Sequence, residues 1–114
     1  MALSTVGYTA SGAGTAAANG NYVPVVGAYA TYNGATQYTN GTAFLALGTG
    51  ANTWNVFPFA NAVGAPAYVG GGTSTTFPLS GWGVGGSTAP PPTFADMSGG
   101  CGGATVVRRP PIFF

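Results

Sequence analysis

Residues 28–47 read AYATYNGATQYTNGTAFLAL, and this stretch decides the predicted fold. Its β-branched and aromatic residues are separated by the dipeptides Asn33-Gly34 and Asn40-Gly41. Asn-Gly between such segments is the strongest short signal for a β-hairpin, because both positions of a type I′ turn need a positive φ. The stretch therefore predicts an antiparallel meander with strands at 28–32, 35–39 and 42–47.

The two predicted turns fix the pairing between these strands. The first predicts pairs of Tyr32 with Ala35, Thr31 with Thr36 and Tyr29 with Tyr38, and the second predicts Thr39 with Thr42 and Tyr38 with Ala43. Side chains alternate between the faces of a strand. One face is predicted to carry Tyr29, Tyr38, Ala43, Leu45 and Leu47, and the other Ala30, Tyr32, Gln37, Thr42 and Phe44. Two partly apolar faces favour a sandwich over a sheet with one solvated face.

Further short strands are predicted at residues 53–59, 67–69, 73–79 and 81–84, where apolar or β-branched residues lie between glycine-rich turns. The total of six to eight short strands is typical of an all-β sandwich or jelly roll. We therefore expect an all-β fold, a small antiparallel β-sandwich or jelly-roll-like domain with extended N- and C-terminal arms.

Shifts in composition predict the domain boundaries. Residues 1–21 are small and polar and are predicted to form an N-terminal arm, and residues 22–88 are predicted to form the β-sandwich core. Three consecutive prolines at 90–92 favour extended polyproline II structure. Residues 89–114 are therefore predicted to form a Pro/Gly-rich C-terminal arm, with a possible last strand at 105–107.

The composition argues against an enzyme. The only Asp, Glu, Lys or Arg side chains among the 114 residues are Asp96, Arg108 and Arg109, and there is no His. General acid–base catalysis near neutral pH needs a His, a Lys or a tuned pair of carboxylates. The glycine clusters at 70–72, 83–86 and 99–103 lack the Lys-Ser or Lys-Thr of a phosphate-binding loop, which favours turns or close backbone packing. We expect no catalytic residue, no metal and no cofactor.

The charge and hydropathy patterns limit the partners. A net charge of +1 does not supply the several basic contacts through which proteins bind nucleic acid. No run of 18 apolar residues occurs, so no membrane partner is expected, and residues 1–5 lack the features of a secretory signal. A net charge near zero removes the repulsion that keeps subunits apart. Self-association into a homo-oligomer is the expected state.

Three smaller features have competing interpretations. Asn40-Gly41-Thr42 matches a glycosylation acceptor, but its hairpin role favours a structural turn. The lone Cys101 has no neighbouring His or Lys to lower its pKa, which favours a passive thiol. Exposed aromatic residues could stack on sugar rings, with Tyr29, Tyr38 and Trp54 as candidates, although core packing and subunit contact are the favoured roles of the aromatics.

The segment 108–114 is the sharpest candidate binding feature, because both arginines lie together before two prolines and an apolar end. One interpretation is a surface tail whose arginines aid solubility. The favoured one is a docking arm, in which the arginines pair with carboxylates of a partner and the apolar side chains fill a pocket on it. The predicted partner-binding residues are Arg108, Arg109, Ile112, Phe113 and Phe114.

The composition, the Met1-Ala2-Leu3 start and the Gly-, Thr- and Ala-rich strands resemble those of capsid decoration or cement proteins of tailed bacteriophages. The resemblance implies a non-enzymatic virion protein that is made in the host cytoplasm and assembles, as a trimer, onto the major capsid protein. The alternative is a self-assembling subunit of an extracellular filament, whose uncharged strand edges invite pairing between copies. A carbohydrate-binding module is a third alternative.

Overall fold

The computed structural model describes residues 3–49 and 53–97, and every regular element there is a short strand or a single 3₁₀ turn. The 3₁₀ turns are Ala16–Ala18 and Gly27–Tyr29. The strands are β1 (Tyr8–Ser11), β2 (Gly20–Pro24), β3 (Thr31–Tyr32), β4 (Ala35–Thr36), β5 (Tyr38–Thr39), β6 (Phe44–Leu47), β7 (Trp54–Phe57), β8 (Tyr68–Val69), β9 (Gly83–Val84) and β10 (Thr93–Asp96). The prediction of an all-β fold is confirmed.

Eight of these strands form one antiparallel sheet in the order β10-β1-β2-β5-β6-β7-β8-β9, and β3 and β4 form a separate hairpin. The large sheet is curled. The ring of Phe94 in β10 lies 4.8 Å from that of Trp82, which directly precedes β9, so the two ends of the sheet approach each other. The amide of Phe94 also donates to the carbonyl of Leu79 at 2.8 Å. The sheet and the hairpin together make a small β-sandwich-like domain.

The hairpin at Asn33-Gly34 has the predicted register. Thr31 pairs with Thr36 and Tyr32 with Ala35. The turn residues have φ values of 51° and 79°, and a type I′ turn requires both to be positive. Local turn chemistry alone was therefore sufficient to predict this element.

The second predicted turn, at Asn40-Gly41, has the wrong register. Tyr38 pairs with Leu45 and Thr39 with Phe44, so the loop has four residues instead of two. The side chain of Asn40 stabilises this longer loop, because its Oδ1 accepts the amides of Thr42 and Ala43 at 2.9 and 2.8 Å and so forms an Asx turn. A displacement of two residues leaves each side chain on its predicted face.

The predicted pairing of Tyr29 with Tyr38 is also wrong. Tyr29 lies in a 3₁₀ turn, and Tyr38 pairs with Pro24 and Leu45. The chain leaves the hairpin and enters the large sheet at Gln37. The backbone amide of Gln37 donates to the carbonyl of Ala30, and its backbone carbonyl accepts the amide of Val25. The two tyrosines therefore belong to different parts of the fold.

The core inside the curl is aromatic. Phe77 is its centre, with ring centroids 4.0 Å from Tyr8, 5.2 Å from Trp54 and 5.1 Å from Phe94. Each such aromatic pair stabilises a fold by about 1 kcal/mol beyond the burial of its surface. The buried aromatic residues of this core are Tyr8, Tyr22, Tyr38, Trp54, Tyr68, Phe77, Trp82 and Phe94.

Buried tyrosine hydroxyls connect this core to the surrounding backbone. Tyr22 donates to the carbonyl of Ala18 and Tyr38 to that of Ser4, both at 2.7 Å. Burial disfavours the phenolate and raises the pKa of Tyr22 and of Tyr38 well above the usual value, and to a lesser extent that of Tyr8. The neutral phenols are therefore part of the folded state.

Two other predicted strands differ from the structure. Residues 73–79 form a tight turn, with an isolated bridge between Thr73 and Thr76, that directs Phe77 into the core. The strand predicted at 53–59 ends as β7 at Phe57, because the proline at 58 has no amide to continue the ladder. This early end releases Phe59 to the surface, where it is 61% exposed.

Each predicted arm contributes a strand to the large sheet, β1 from residues 1–21 and β10 from residues 89–114. β1 lies between β10 and β2, with Tyr8 opposite Tyr22 and Ala10 opposite Phe94. The alternation of buried Tyr8 and Ala10 with the more exposed Thr9 and Ser11 is the period-two pattern of a strand with one buried face. The possible strand at 105–107 lies outside the described residues.

Candidate functional site: an uncharged aromatic groove

The predicted partner-binding residues Arg108, Arg109, Ile112, Phe113 and Phe114 lie outside the described residues, as does Cys101. Among residues 3–49 and 53–97, no three His, Cys, Asp or Glu side chains lie close enough to hold a metal ion.

One exposed apolar surface in the described chain is a shallow groove of about 450 Å³. We call it the aromatic groove and define it by Tyr29, Phe44, Phe59, Ala60, Asn61 and Val63. Tyr29, Phe59 and Val63 are 51%, 61% and 55% exposed, and Phe44 from β6 is partly buried among them. None of these six side chains carries a charge near neutral pH.

Two loops form the aromatic groove. One is the 3₁₀ turn that ends at Tyr29, and the other is the loop after β7, closed by an isolated bridge between Phe59 and Val63. Within the second loop Asn61 and Ala62 have φ values of 60° and 57°. Left-handed backbone at a residue other than glycine costs on the order of 1 kcal/mol and persists only where the surroundings impose it.

Gln37 holds both loops in place. Its side chain is completely buried, and its Nε2 donates to the Tyr29 carbonyl at 2.7 Å and to Asn61 Oδ1 at 2.9 Å. Its Oε1 accepts the amide of Asn61 at 2.7 Å. One buried amide therefore fixes the strained loop and the turn at once, so that the rings of Tyr29 and Phe59 stand on fixed backbone.

A second groove, of about 320 Å³, is lined mainly by small side chains. Its lining includes Ala17, Ala43, Ala65 and Ala67, with Phe57 as the largest side chain. It offers shallow apolar contact without exposed rings. The aromatic groove is the stronger candidate, because aromatic side chains supply most of the energy at protein contacts.

The sugar-stacking surface proposed for Tyr29, Tyr38 and Trp54 does not form. Tyr38 and Trp54 are completely buried, and the indole of Trp54 donates to the carbonyl of Thr73 at 2.7 Å. Core packing, the favoured role of these aromatics, is confirmed for both residues. Of the three candidates only Tyr29 is exposed.

Sequence reasoning missed the contribution of Phe59, Val63 and Gln37 to the site. Pro58 was a usable signal, because a strand that ends at proline places the next aromatic residue beyond the ladder. The link between Gln37 and Asn61 had no local signal, since the two residues are 24 positions apart.

The other motifs have structural roles. The Nδ2 of Asn40 donates to the carbonyls of Ala17 and Asn19 at 2.8 and 2.9 Å, so this side chain has a structural role in its turn. Gly70 and Gly72 of the cluster 70–72 pack closely, and a Cβ at Gly72 would overlap the Thr76 carbonyl oxygen. Asn55 Oδ1 is buried without a hydrogen-bond partner, but a single oxygen makes no binding site.

No helix in the described ranges is long and apolar enough to cross a membrane. Comparison with protein-family models, with curated proteins and with solved structures found no match to this chain.

Proposed function

We propose that the protein is a non-enzymatic structural subunit that associates with copies of itself and decorates a larger assembly. A bacteriophage capsid is the assembly that the sequence resemblance suggests, and the major capsid protein is then the second partner. The observation that carries the proposal is the aromatic groove, in which half-exposed Tyr29 and Phe59 stand on backbone fixed by buried Gln37.

The energetic argument concerns the exposed rings. Monomeric proteins rarely expose contiguous apolar patches larger than a few hundred Å², and such patches often mark binding sites. Rigid aromatic side chains lose little entropy on binding, and a groove already fixed in shape avoids the cost of ordering its loops. The groove has the properties of a preformed contact site for an apolar partner surface.

The composition supports a structural role over a catalytic one. The whole chain contains no His, Lys or Glu, which removes most of the groups that transfer protons near neutral pH. The same shortage of charge means that few ion pairs can contribute to assembly. In this proposal the pair Arg108-Arg109 makes the few charged contacts to the capsid protein, and apolar contacts join the copies.

A filament subunit is the second candidate, and the sheet edge formed by β9 favours it. Gly83 and Val84 are exposed, and their strand is the last of the large sheet. Natural proteins protect such edges with charged residues, above all lysine, and this chain contains no lysine. Pairing of β9 with a strand of another copy would extend the sheet.

Negative-stain microscopy and light scattering of the purified full chain test these proposals. Discrete small oligomers support the decoration subunit, long uniform filaments support the alternative, and a monomer at every concentration would refute both. We expect the association constant to change less than about threefold between about 50 and 300 mM salt, because screening weakens only charged contacts. A tenfold loss over that range would count against an apolar contact.

A further inference from the structure

We infer that the aromatic groove binds residues 110–114, Pro-Pro-Ile-Phe-Phe, of a second copy of this chain. The inference deepens the proposed function and rests on it, because it names the contact by which copies associate. The binding surface is the aromatic groove, and its occupant is a segment that follows Met97, the last residue that the structure describes.

The chemistry of the two surfaces matches. Proline-rich segments bind grooves lined by aromatic side chains, since the rings stack on the proline and the extended conformation is already formed. The groove offers the rings of Tyr29, Phe44 and Phe59 and no charge. Residues 110–114 are uncharged and supply two prolines, an isoleucine and two phenylalanines.

The chain is long enough for exchange between copies. Seventeen residues follow Met97, and the five of them at 99–103 are Gly-Gly-Cys-Gly-Gly. The twelve of them that separate Met97 from residues 110–114 span at most about 43 Å when extended. This length allows residues 110–114 to reach a neighbouring subunit while β10 stays paired with β1.

Such a contact is heterologous, because a groove on one copy binds a segment of the next. Heterologous contacts form a closed ring when the rotation between copies closes and an open filament when it does not. Arm exchange, in which the groove of one copy binds residues 110–114 of the next, is therefore compatible with either form of assembly.

Two full-length double variants test the inference. The groove variant carries Tyr29→Ser and Phe59→Ser, and the arm variant carries Phe113→Ser and Phe114→Ser. The control carries Val6→Ser and Leu79→Ser, which remove two exposed apolar side chains that line neither the groove nor the β9 edge. Circular dichroism and thermal melting establish that each variant is folded, and sedimentation equilibrium measures association.

Each defective variant should associate at least tenfold more weakly than the wild-type chain, and the control should associate within about twofold of it. An equimolar mixture of the groove and arm variants should form a dimer and nothing larger, because only one intact groove can meet one intact arm. Normal assembly of the arm variant would refute arm exchange and leave the proposed function standing. A monomeric wild-type chain would refute both.

Disulfide trapping supplies a second measurement that does not depend on loss of association. One chain carries Val63→Cys, the other carries Ile112→Cys, and both carry Cys101→Ser. Mild oxidation should produce a dimer joined between the two chains, whereas Leu79→Cys in place of Val63→Cys should produce at least tenfold less. Equal trapping at positions 63 and 79 would refute the assignment of the groove.

Discussion

Replacing Gln37 by leucine should lower the free energy of unfolding by about 2 to 3 kcal/mol and loosen both walls of the aromatic groove. The substitution keeps the approximate size of the side chain and removes all its polar atoms. Three hydrogen bonds are lost, to the Tyr29 carbonyl, to Asn61 Oδ1 and from the Asn61 amide.

The magnitude follows from these bonds and from what replaces them. Each contributes about 1 kcal/mol net, and the groups left behind lose their partners in a partly buried site. The apolar surface of leucine recovers about 1 kcal/mol. Asn61 also keeps its positive φ without the bond that imposed it, which adds to the loss.

Urea unfolding followed by the fluorescence of buried Trp54 and Trp82 measures the change. Hydrogen exchange at the Asn61 amide reports the loop separately, because that amide donates to the Gln37 side chain. Thr9→Val is the matched control, since it removes an exposed hydrogen bond to Asn21 and should change stability by less than about 0.5 kcal/mol. A similarly small change for Gln37→Leu, with Asn61 exchange unaltered, would refute this account of the groove.

Gln37→Glu adds a dependence on pH to the same test. It keeps an oxygen for the Asn61 amide but loses the donor to the Tyr29 carbonyl. Burial should raise the pKa of the introduced carboxyl, so its folded-state pKa exceeds the unfolded one. The variant should therefore be closest to wild type near pH 4 and lose stability as the pH rises toward 7.

Two further predictions concern the core. Burial raises the pKa of Tyr22 and Tyr38 above the unfolded tyrosine pKa near 10, so their contribution to stability is intact below pH 10 and decreases above it. Urea unfolding at a series of pH values should show the free energy of unfolding fall by about 1.4 kcal/mol per pH unit for each tyrosine. Gly72→Ala should lower the free energy of unfolding by at least about 2 kcal/mol, because the φ of Gly72 is +77° and a Cβ there would overlap the Thr76 carbonyl. Gly71→Ala is the control and should be nearly neutral, because no atom lies within 4 Å of a Cβ at that position. Thermal melting compares the two variants, and equal effects would contradict the argument.

The parts of the fold that sequence predicts are those that local chemistry determines. The Asn33-Gly34 turn has its predicted register because two positive φ values are needed in adjacent positions and this dipeptide supplies them. The same dipeptide at Asn40-Gly41 gives a different loop. There the Asn40 side chain finds backbone partners at Ala17 and Asn19, 23 and 21 residues away, which no local pattern reveals.

The N-terminal strand was missed for a different reason. Residues 1–21 have the small, polar composition of an arm, and composition outweighed the short alternation around Tyr8. That tyrosine is buried because β10 returns to the edge of β1 and Phe77 stacks on its ring. A pattern of four residues gains significance only once its distant partners are known.

The near-absence of charge is reflected in the polar contacts that hold this fold together. Polar contacts that other proteins make with ion pairs are made here by the amides of Gln37 and Asn40 and by buried tyrosine hydroxyls. Such bonds are directional and insensitive to salt, so they can hold a strained loop in one conformation without adding charge to the surface. The aromatic groove is the result at Gln37: a rigid, uncharged contact surface whose geometry is set from inside the fold, which is why a single buried substitution should disturb binding and stability together.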